Sequence, residues 1–131
     1  MALILLVDDQ PDIRRLIRVT LGSPFDVLEA EDGATALGIL RSRDIDIVVL
    51  DVMMPGVLDG MQVLDAIRAD TKLSRTRVIM VTGRGRARDY DLCMRRGADA
   101  YFVKPFSPVR LVACIKEILA ADRADEGSDR R

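Results

Sequence analysis

Ile47–Gly56, with the sequence IVVLDVMMPG, contains the clearest indication of fold class in this chain. The predicted strand Asp46–Leu50 becomes continuously apolar within it, which is typical of a strand buried on both faces in a parallel sheet. Asp51 follows directly. Because doubly wound parallel sheets bind ligands outside the carboxyl ends of their strands, we expect Asp51 at a binding edge.

Similar short apolar segments alternate with helical patterns along the rest of the chain. The predicted strands are Leu3–Val7, Asp26–Ala30, Asp46–Leu50, Val78–Val81 and Ala100–Val103. Apolar residues recur at helical spacing in two clear stripes, made of Ile13, Leu16, Ile17 and Leu21, and of Leu111, Val112, Ile115, Ile118 and Leu119. Pro11 and Pro108 suit a first helical turn, and Asp32 suits a helix cap. The pattern predicts an α/β, flavodoxin-like, doubly wound sheet of five parallel strands in the order 2-1-3-4-5, with five helices.

Composition narrows the class of protein. The chain has 131 residues with 49% hydrophobic and 31% charged, the balance of a globular domain, and a formal net charge of -1 that provides no basic field for nucleic acid. No segment approaches the roughly 20 apolar residues that cross a bilayer, so we expect a cytoplasmic protein without membrane contact. Residues 1–121 are the expected domain. Residues 122–131 are charged without an apolar pattern, which predicts a flexible tail or the start of a linker.

Two further residue types limit the chemistry. The chain has no histidine, so a phosphohistidine in this system would belong to a partner. Cys93 and Cys114 have no metal-ligand or redox spacing and are interpreted as small, partly buried apolar residues.

Charged and polar side chains follow four of the predicted strands. Asp8 and Asp9 close the first, Asp51 the third, Thr82 the fourth and Lys104 the fifth. Each acid alone could equally be a helix cap or a surface residue, but together the strand ends favour one site. Three gathered carboxylates repel one another, a hard divalent cation such as Mg²⁺ relieves the repulsion, and a carboxylate beside the metal can attack phosphorus.

These motifs resemble the receiver domain of two-component response regulators over about Leu3 to Leu119. The resemblance rests on LLVDDQPDIR, IVVLDVMMPG, VTG and DAYFVKPF. It implies a signalling switch that catalyses only its own phosphorylation and dephosphorylation. It also implies a sensor histidine kinase or histidine phosphotransfer protein as the donor.

The resemblance assigns a role to each residue of the acidic site. Asp8 and Asp9 match the magnesium-binding pair, and Asp51 matches the phosphoacceptor, also a metal ligand. Met53 would lend its backbone carbonyl to the metal, and Lys104 would pair with a phosphoryl oxygen. Lys104 is followed by proline, which favours a cis peptide that aims the lysine inward; a trans bond with the lysine in solvent is the alternative.

The switch elements are matched too. Thr82 corresponds to the hydroxyl residue that bonds the phosphoryl group. Tyr101 corresponds to an aromatic residue whose ring moves into the space that the hydroxyl leaves. Packing within the sheet is the alternative role of Tyr101. Their movement would change the surface formed by helix 4, strand 5 and helix 5. The helix predicted over Gly85–Arg96 has a thin apolar stripe of Tyr90, Cys93 and Met94, which indicates a mobile helix. Its arginines could be partner contacts or ordinary solvated residues: Arg84, Arg86, Arg88, Arg95 and Arg96.

Three positions around the site bear on access and lifetime. Gly83 leaves room for a bulky donor, while Met53 and Arg84 are expected to shield the phosphoryl group from water. The pair Asp59-Gly60 comes one residue later than in the family pattern, so the loop Pro55–Gly60 has an extra residue of unknown effect.

Two rival functions remain at this stage. A small magnesium-dependent phosphatase with an aspartate nucleophile normally has an acid two residues after that nucleophile, where this chain has Met53. A flavin carrier would need a Gly/Ser/Thr-rich phosphate loop after strand 1. The downstream target, a covalently linked output domain and a phosphorylation-dependent homodimer are left open.

Overall fold

A five-stranded parallel sheet organises the molecule, in a computed structural model that describes residues 2–83 and 87–129. The strands lie in the order β2-β1-β3-β4-β5. Their bounds are β1 Leu3–Val7, β2 Asp26–Ala30, β3 Ile47–Asp51, β4 Arg77–Thr82 and β5 Ala100–Val103. The predicted doubly wound topology is confirmed, with β2 at an edge and β3 in the centre.

Helices connect successive strands, as right-handed crossovers between parallel strands require. Within the described residues they are α1 Pro11–Leu21, α2 Gly33–Ser42, α3 Gly60–Ala69, α4 Ala87–Arg95 and α5 Pro108–Asp129, with a short 3₁₀ turn at Thr71–Leu73. α1 and α5 begin at Pro11 and Pro108 as predicted. Asp32 caps α2, since its side chain accepts a hydrogen bond from the Thr35 backbone N–H at 2.7 Å.

Both faces of the sheet are covered. α1 and α5 pack on one face, where their buried residues include Ile17 and Leu111, and α2, α3 and α4 pack on the other, where Leu64 and Cys93 are buried. The apolar stripe predicted for α1 is only partly buried. Leu16 is 45% exposed, because it lies outside the line of contact that the other members of the stripe make with the sheet and α5.

The C-terminal segment begins as a continuation of α5. α5 continues through Asp129, so residues 122–129 are helical. The segment has no proline to end the helix, although only three of its eight residues, an alanine, an arginine and a glutamate, are strong helix formers. Asp122 also binds Arg77 at 2.6 Å, which ties this part of α5 to the start of β4. Whether the segment leads into a linker stays a prediction.

The two central strands each run one residue beyond their predicted ends. Asp51 is therefore the last residue of β3, and Thr82 the last of β4. Both side chains are consequently fixed by strand backbone at the carboxyl edge of the sheet. In the described ranges, none of the helices has the length and apolar character needed to span a membrane.

Candidate functional site

Asp8, Asp51 and Lys104 meet at the carboxyl edge of the sheet. The Lys104 Nζ atom lies 2.9 Å from Asp8 Oδ2 and 3.2 Å from Asp51 Oδ2. Both carboxylates are buried, with 4% of Asp8 and 3% of Asp51 exposed. The Lys104–Pro105 peptide bond is cis, as the sequence favoured, and the lysine points into the site. One lysine therefore bridges acids from two neighbouring strands.

Asp9 completes an acidic cluster with Asp8 and Asp51. One carboxylate oxygen from each residue lies within 4.8 Å of the other two, and Asp9 is exposed where its partners are buried. Opposite ligands of an octahedral Mg²⁺ are about 4.2 Å apart, so small side-chain movements would bring the three oxygens around one ion. Lys104 balances one of the three negative charges, and a divalent cation would balance the other two. The donor set thus fits Mg²⁺.

Burial and a neighbouring charge disfavour the ionised form of Asp51. Burial raises the pKa of Asp51, and the nearby Asp8 carboxylate raises it further. The Met53 backbone N–H, which donates to Asp51 Oδ1 at 3.1 Å, and Lys104 oppose this shift without cancelling it. Burial alone would lower the pKa of Lys104, but the hydrogen bond to Asp8 and the two acidic charges outweigh it and raise that pKa. Lys104 therefore stays a cation.

The loop after β3 brings its backbone close to Asp51. A Cβ atom on Gly60 would meet the Asp51 carbonyl oxygen and the Val52 Cα, so only glycine fits there. Asp59 caps α3 by accepting from the Gln62 N–H at 2.9 Å, while the Gln62 side chain accepts from the Asp59 N–H, in a full capping box. The turn before this cap contains Gly56, whose φ of 104° lies in the region that favours glycine.

Thr82 and Tyr101 share one face of the sheet. Tyr101 pairs in register with Met80, and Thr82 stands two residues after Met80, so the strand period places the three on one side. Thr82 is buried, with 2% of the residue exposed. The Tyr101 ring meets Tyr90 of α4 edge to face, with centroids 5.5 Å apart. The predicted switch pair is thus in neighbouring strands, with a second aromatic ring against Tyr101.

The remaining predicted positions surround this edge. Met53 is 50% exposed beside Asp51. Gly83 is exposed, and a Cβ built on it would meet no described atom within 4 Å. Arg84 lies outside the described residues, as do Arg86 and the side chain of Arg88. Directly after α4, Arg96 forms an exposed ion pair with Asp65 at 3.3 Å.

Two residues at the site were missed from the sequence. The Gln10 side-chain oxygen accepts from Lys104 Nζ at 3.3 Å, and its backbone N–H donates to Asp8 Oδ1 at 2.9 Å. Arg14 donates from Nη1 to the Asp8 backbone carbonyl at 2.6 Å. Their proximity in sequence to the acidic pair was the available signal.

Known proteins with similar sequences identify the family of this chain. A family model described as response regulator receiver domain matches residues 4–116. A probable transcriptional regulator, ycf27 of Porphyridium aerugineum, is 40% identical over 126 residues, which covers 95% of this chain and 50% of the relative. The DNA-binding response regulator MtrA of Mycolicibacterium smegmatis is 38% identical over 114 residues, covering 86% of this chain and 48% of the relative. The chain thus spans about half the length of these curated relatives.

Solved structures share the fold. The chemotaxis protein CheY4 of Vibrio cholerae superposes with a TM-score of 0.82 at 30% identity, covering 90% of this chain and 98% of that one. The response regulator DrrB of Thermotoga maritima, described as an OmpR/PhoB homologue, gives a TM-score of 0.83 at 29% identity, over 93% of this chain and 54% of that one. The match to DrrB thus involves only about half of that longer protein.

Proposed function

Since the chain belongs to the response regulator receiver domain family, whose members are phosphoacceptors in two-component signalling, we propose that Asp51 takes a phosphoryl group from a partner's phosphohistidine. One observation carries the proposal. Asp51 ends the central strand, 3% exposed, with the Lys104 cation 3.2 Å from one oxygen and two further acids within 4.8 Å. This arrangement suits a buried nucleophile surrounded by groups that neutralise a phosphoryl group.

In the proposed reaction an Asp51 oxygen attacks phosphorus, an O–P bond forms, and the P–N bond to the donor imidazole breaks. The donor imidazole keeps the bonding electron pair and takes up a proton. Phosphoryl transfer depends mainly on positioning and on neutralising charge on the equatorial oxygens. Lys104 would move from its contact with Asp51 to a phosphoryl oxygen, and the Thr82 hydroxyl would donate to another.

Asp8, Asp9 and Asp51, with the backbone carbonyl of Met53, would hold Mg²⁺. When bound, the ion would neutralise negative charge that gathers on the phosphoryl oxygens. The acidic pair would fix the position of the positive charge, and burial would keep competing water away from Asp51. The support is the oxygen-only donor set and the two negative charges that Lys104 leaves unbalanced.

Signalling would follow from the shared face of Thr82 and Tyr101. Movement of the Thr82 hydroxyl toward phosphate frees space on that face, which the Tyr101 ring can take, and this alters the surface of α4, β5 and α5. Tyr101 would leave Tyr90 as it turns. The chain acts in this proposal as a switch with slow self-modification, not as a metabolic enzyme.

The output and location are proposed on the same basis. Relatives about twice the length of this chain are described as transcriptional regulators, so a covalently linked output domain or a separate target would read the switched surface, and DNA contact would be made outside this domain. Phosphorylation would also allow two copies of the chain to form a homodimer through their α4–β5–α5 surfaces. We place the protein in the cytoplasm, the compartment that keeps Cys93 and Cys114 as free thiols.

Acetyl phosphate with Mg²⁺ tests the function, with intact-mass spectrometry as the readout. One phosphate is expected on the parent chain and none on Asp51→Asn. Asp8→Ala and Asp9→Ala should weaken Mg²⁺ binding and slow labelling. Undiminished labelling of Asp51→Asn would overturn the assignment, and sustained hydrolysis of a small phosphate ester by the parent would favour the phosphatase.

A further inference from the structure

Arg14 of α1 connects the acidic pair to the edge strand β2. Its side chain is 16% exposed. Nη1 donates to the Asp8 backbone carbonyl at 2.6 Å, and Nε donates to Glu29 Oε1 at 2.8 Å. Glu29 therefore orients the guanidinium, and the guanidinium holds the carbonyl at the point where β1 turns into the loop that carries Asp9.

We propose that Arg14 is a positioning residue for the acidic pair, an inference that rests on the proposed magnesium-dependent function. It would set the direction in which Asp8 and Asp9 present their carboxylates, without touching the metal or the phosphoryl group. Groups that orient the ligands of a metal commonly change its affinity by one to two orders of magnitude when they are removed.

Lys104 binds the Asp8 side chain at 2.9 Å, and three further hydrogen bonds hold this residue, of which Arg14 supplies one. The Asp8 N–H donates to the Ala30 carbonyl at 3.1 Å, and Asp8 Oδ1 accepts from the Gln10 N–H at 2.9 Å. The carbonyl is the third group, and it bonds to Arg14. Loss of this bond allows the peptide plane between Asp8 and Asp9 to turn about the ψ bond of Asp8 and the φ bond of Asp9. Both proposed ligands would then have to be ordered when the metal binds.

A purely electrostatic role of Arg14 predicts the opposite change in Mg²⁺ affinity, so the two roles can be distinguished. A cation near a metal site repels the metal. If charge were the main effect, removal of the Arg14 guanidinium would tighten Mg²⁺ binding. In the positioning account binding weakens instead. Glu29 pairs with the guanidinium and offsets its charge, so the geometric effect is expected to dominate.

Arg18 is the matched control. Its Nη2 binds the other oxygen of the same carboxylate, Glu29 Oε2, at 2.6 Å, and also approaches the Val27 carbonyl at 3.4 Å. Among the contacts that the structure describes for Arg18, none reaches Asp8. Arg14→Met and Arg18→Met therefore remove the same charge from the same helix and the same carboxylate, and they differ in the contact with Asp8.

The experiment titrates Mg²⁺ alone into the parent, Arg14→Met and Arg18→Met, and measures amide hydrogen exchange at Asp8 and Gln10 without metal. Arg14→Met should raise the Kd for Mg²⁺ about tenfold and speed exchange at both amides, while Arg18→Met stays close to the parent. Arg14→Lys, which keeps a donor and the charge, should recover part of both losses and serves if Arg14→Met does not fold.

Equal effects of Arg14→Met and Arg18→Met, or tighter Mg²⁺ binding in Arg14→Met, would overturn the positioning role. A parent chain that binds no Mg²⁺ would count against the proposed function instead. The metal-free exchange rates would still decide whether Arg14 holds the Asp8–Asp9 turn.

Discussion

Lys104 and Asp51 form an ion pair across the carboxyl edge of the sheet, with Nζ 3.2 Å from Oδ2. The same ammonium lies 2.9 Å from Asp8 Oδ2, so it separates two buried acids that would otherwise face each other. The lysine thus stabilises the metal-free site and stands where a phosphoryl oxygen would replace the Asp51 contact.

Replacing Lys104 by methionine should lower the free energy of unfolding by about 1–3 kcal/mol in the absence of metal, because two buried carboxylates lose their cation. Mg²⁺ should recover much of this loss. Urea denaturation with and without Mg²⁺ measures both effects, and the exposed Lys116→Met is the control. Equal stability of the parent and Lys104→Met without metal would contradict the bridging role.

Asp51→Asn should make the metal-free protein more stable at neutral pH. Burial and Asp8 raise the pKa of Asp51 in the fold, so its charged form is disfavoured by folding. Its contribution to stability is fully present below the unfolded pKa, about 3.9, and is lost as pH rises through the higher folded pKa. The advantage of Asp51→Asn should therefore shrink as pH falls through this window, which thermal denaturation across pH can follow. A difference that does not vary with pH would argue against a raised pKa.

Thr82→Ala should still be phosphorylated but at a reduced rate, because one donor to the phosphoryl group is lost. It should also uncouple the site from Tyr101. The chain has two tyrosines and no tryptophan, so tyrosine fluorescence in a Tyr90→Phe background reports on Tyr101 alone. Beryllofluoride should change this signal with Thr82 present and much less in Thr82→Ala. A full response in Thr82→Ala would show that the coupling takes another route.

The phosphorylated state is expected to persist for minutes or longer. Hydrolysis needs a water in line with the O–P bond, and the half-exposed Met53 thioether beside Asp51 cannot orient one. The sequence also predicts that Arg84 covers the phosphate, which would slow hydrolysis further. Met53→Asn combined with Arg84→Glu should accelerate phosphate loss after the donor is removed. Decay within seconds in the parent, or no acceleration in the double variant, would contradict shielding by these side chains.

Sequence patterns predicted the fold because the sheet is built from local apolar segments. β1, β2 and β5 have the predicted bounds, and the acids stand at strand ends where the chain must turn. The site followed from topology, since parallel strands bring their carboxyl ends to one edge. Asp8, Asp51 and Lys104 meet there as expected.

Contacts between elements were beyond the sequence patterns. Arg14 reaches the Asp8 carbonyl because α1 lies back against β1 and β2, a geometry that periodicity does not specify. Leu16 has the helical spacing of a core residue, yet the width of the buried stripe depends on how α1 packs beside α5. The helical conformation of residues 122–129 was not specified by the sequence, because a charged segment suits both a solvated tail and an exposed helix.

Chemical trapping identifies the residue that carries the phosphoryl group. Borohydride reduces an acyl phosphate to an alcohol, so a phosphorylated aspartate becomes homoserine, which peptide mass spectrometry identifies by position. After treatment with acetyl phosphate and Mg²⁺, we predict homoserine at position 51 and unmodified aspartate at positions 8 and 9. Homoserine at position 8 or 9, or none at position 51 in a labelled protein, would contradict Asp51 as the phosphoacceptor.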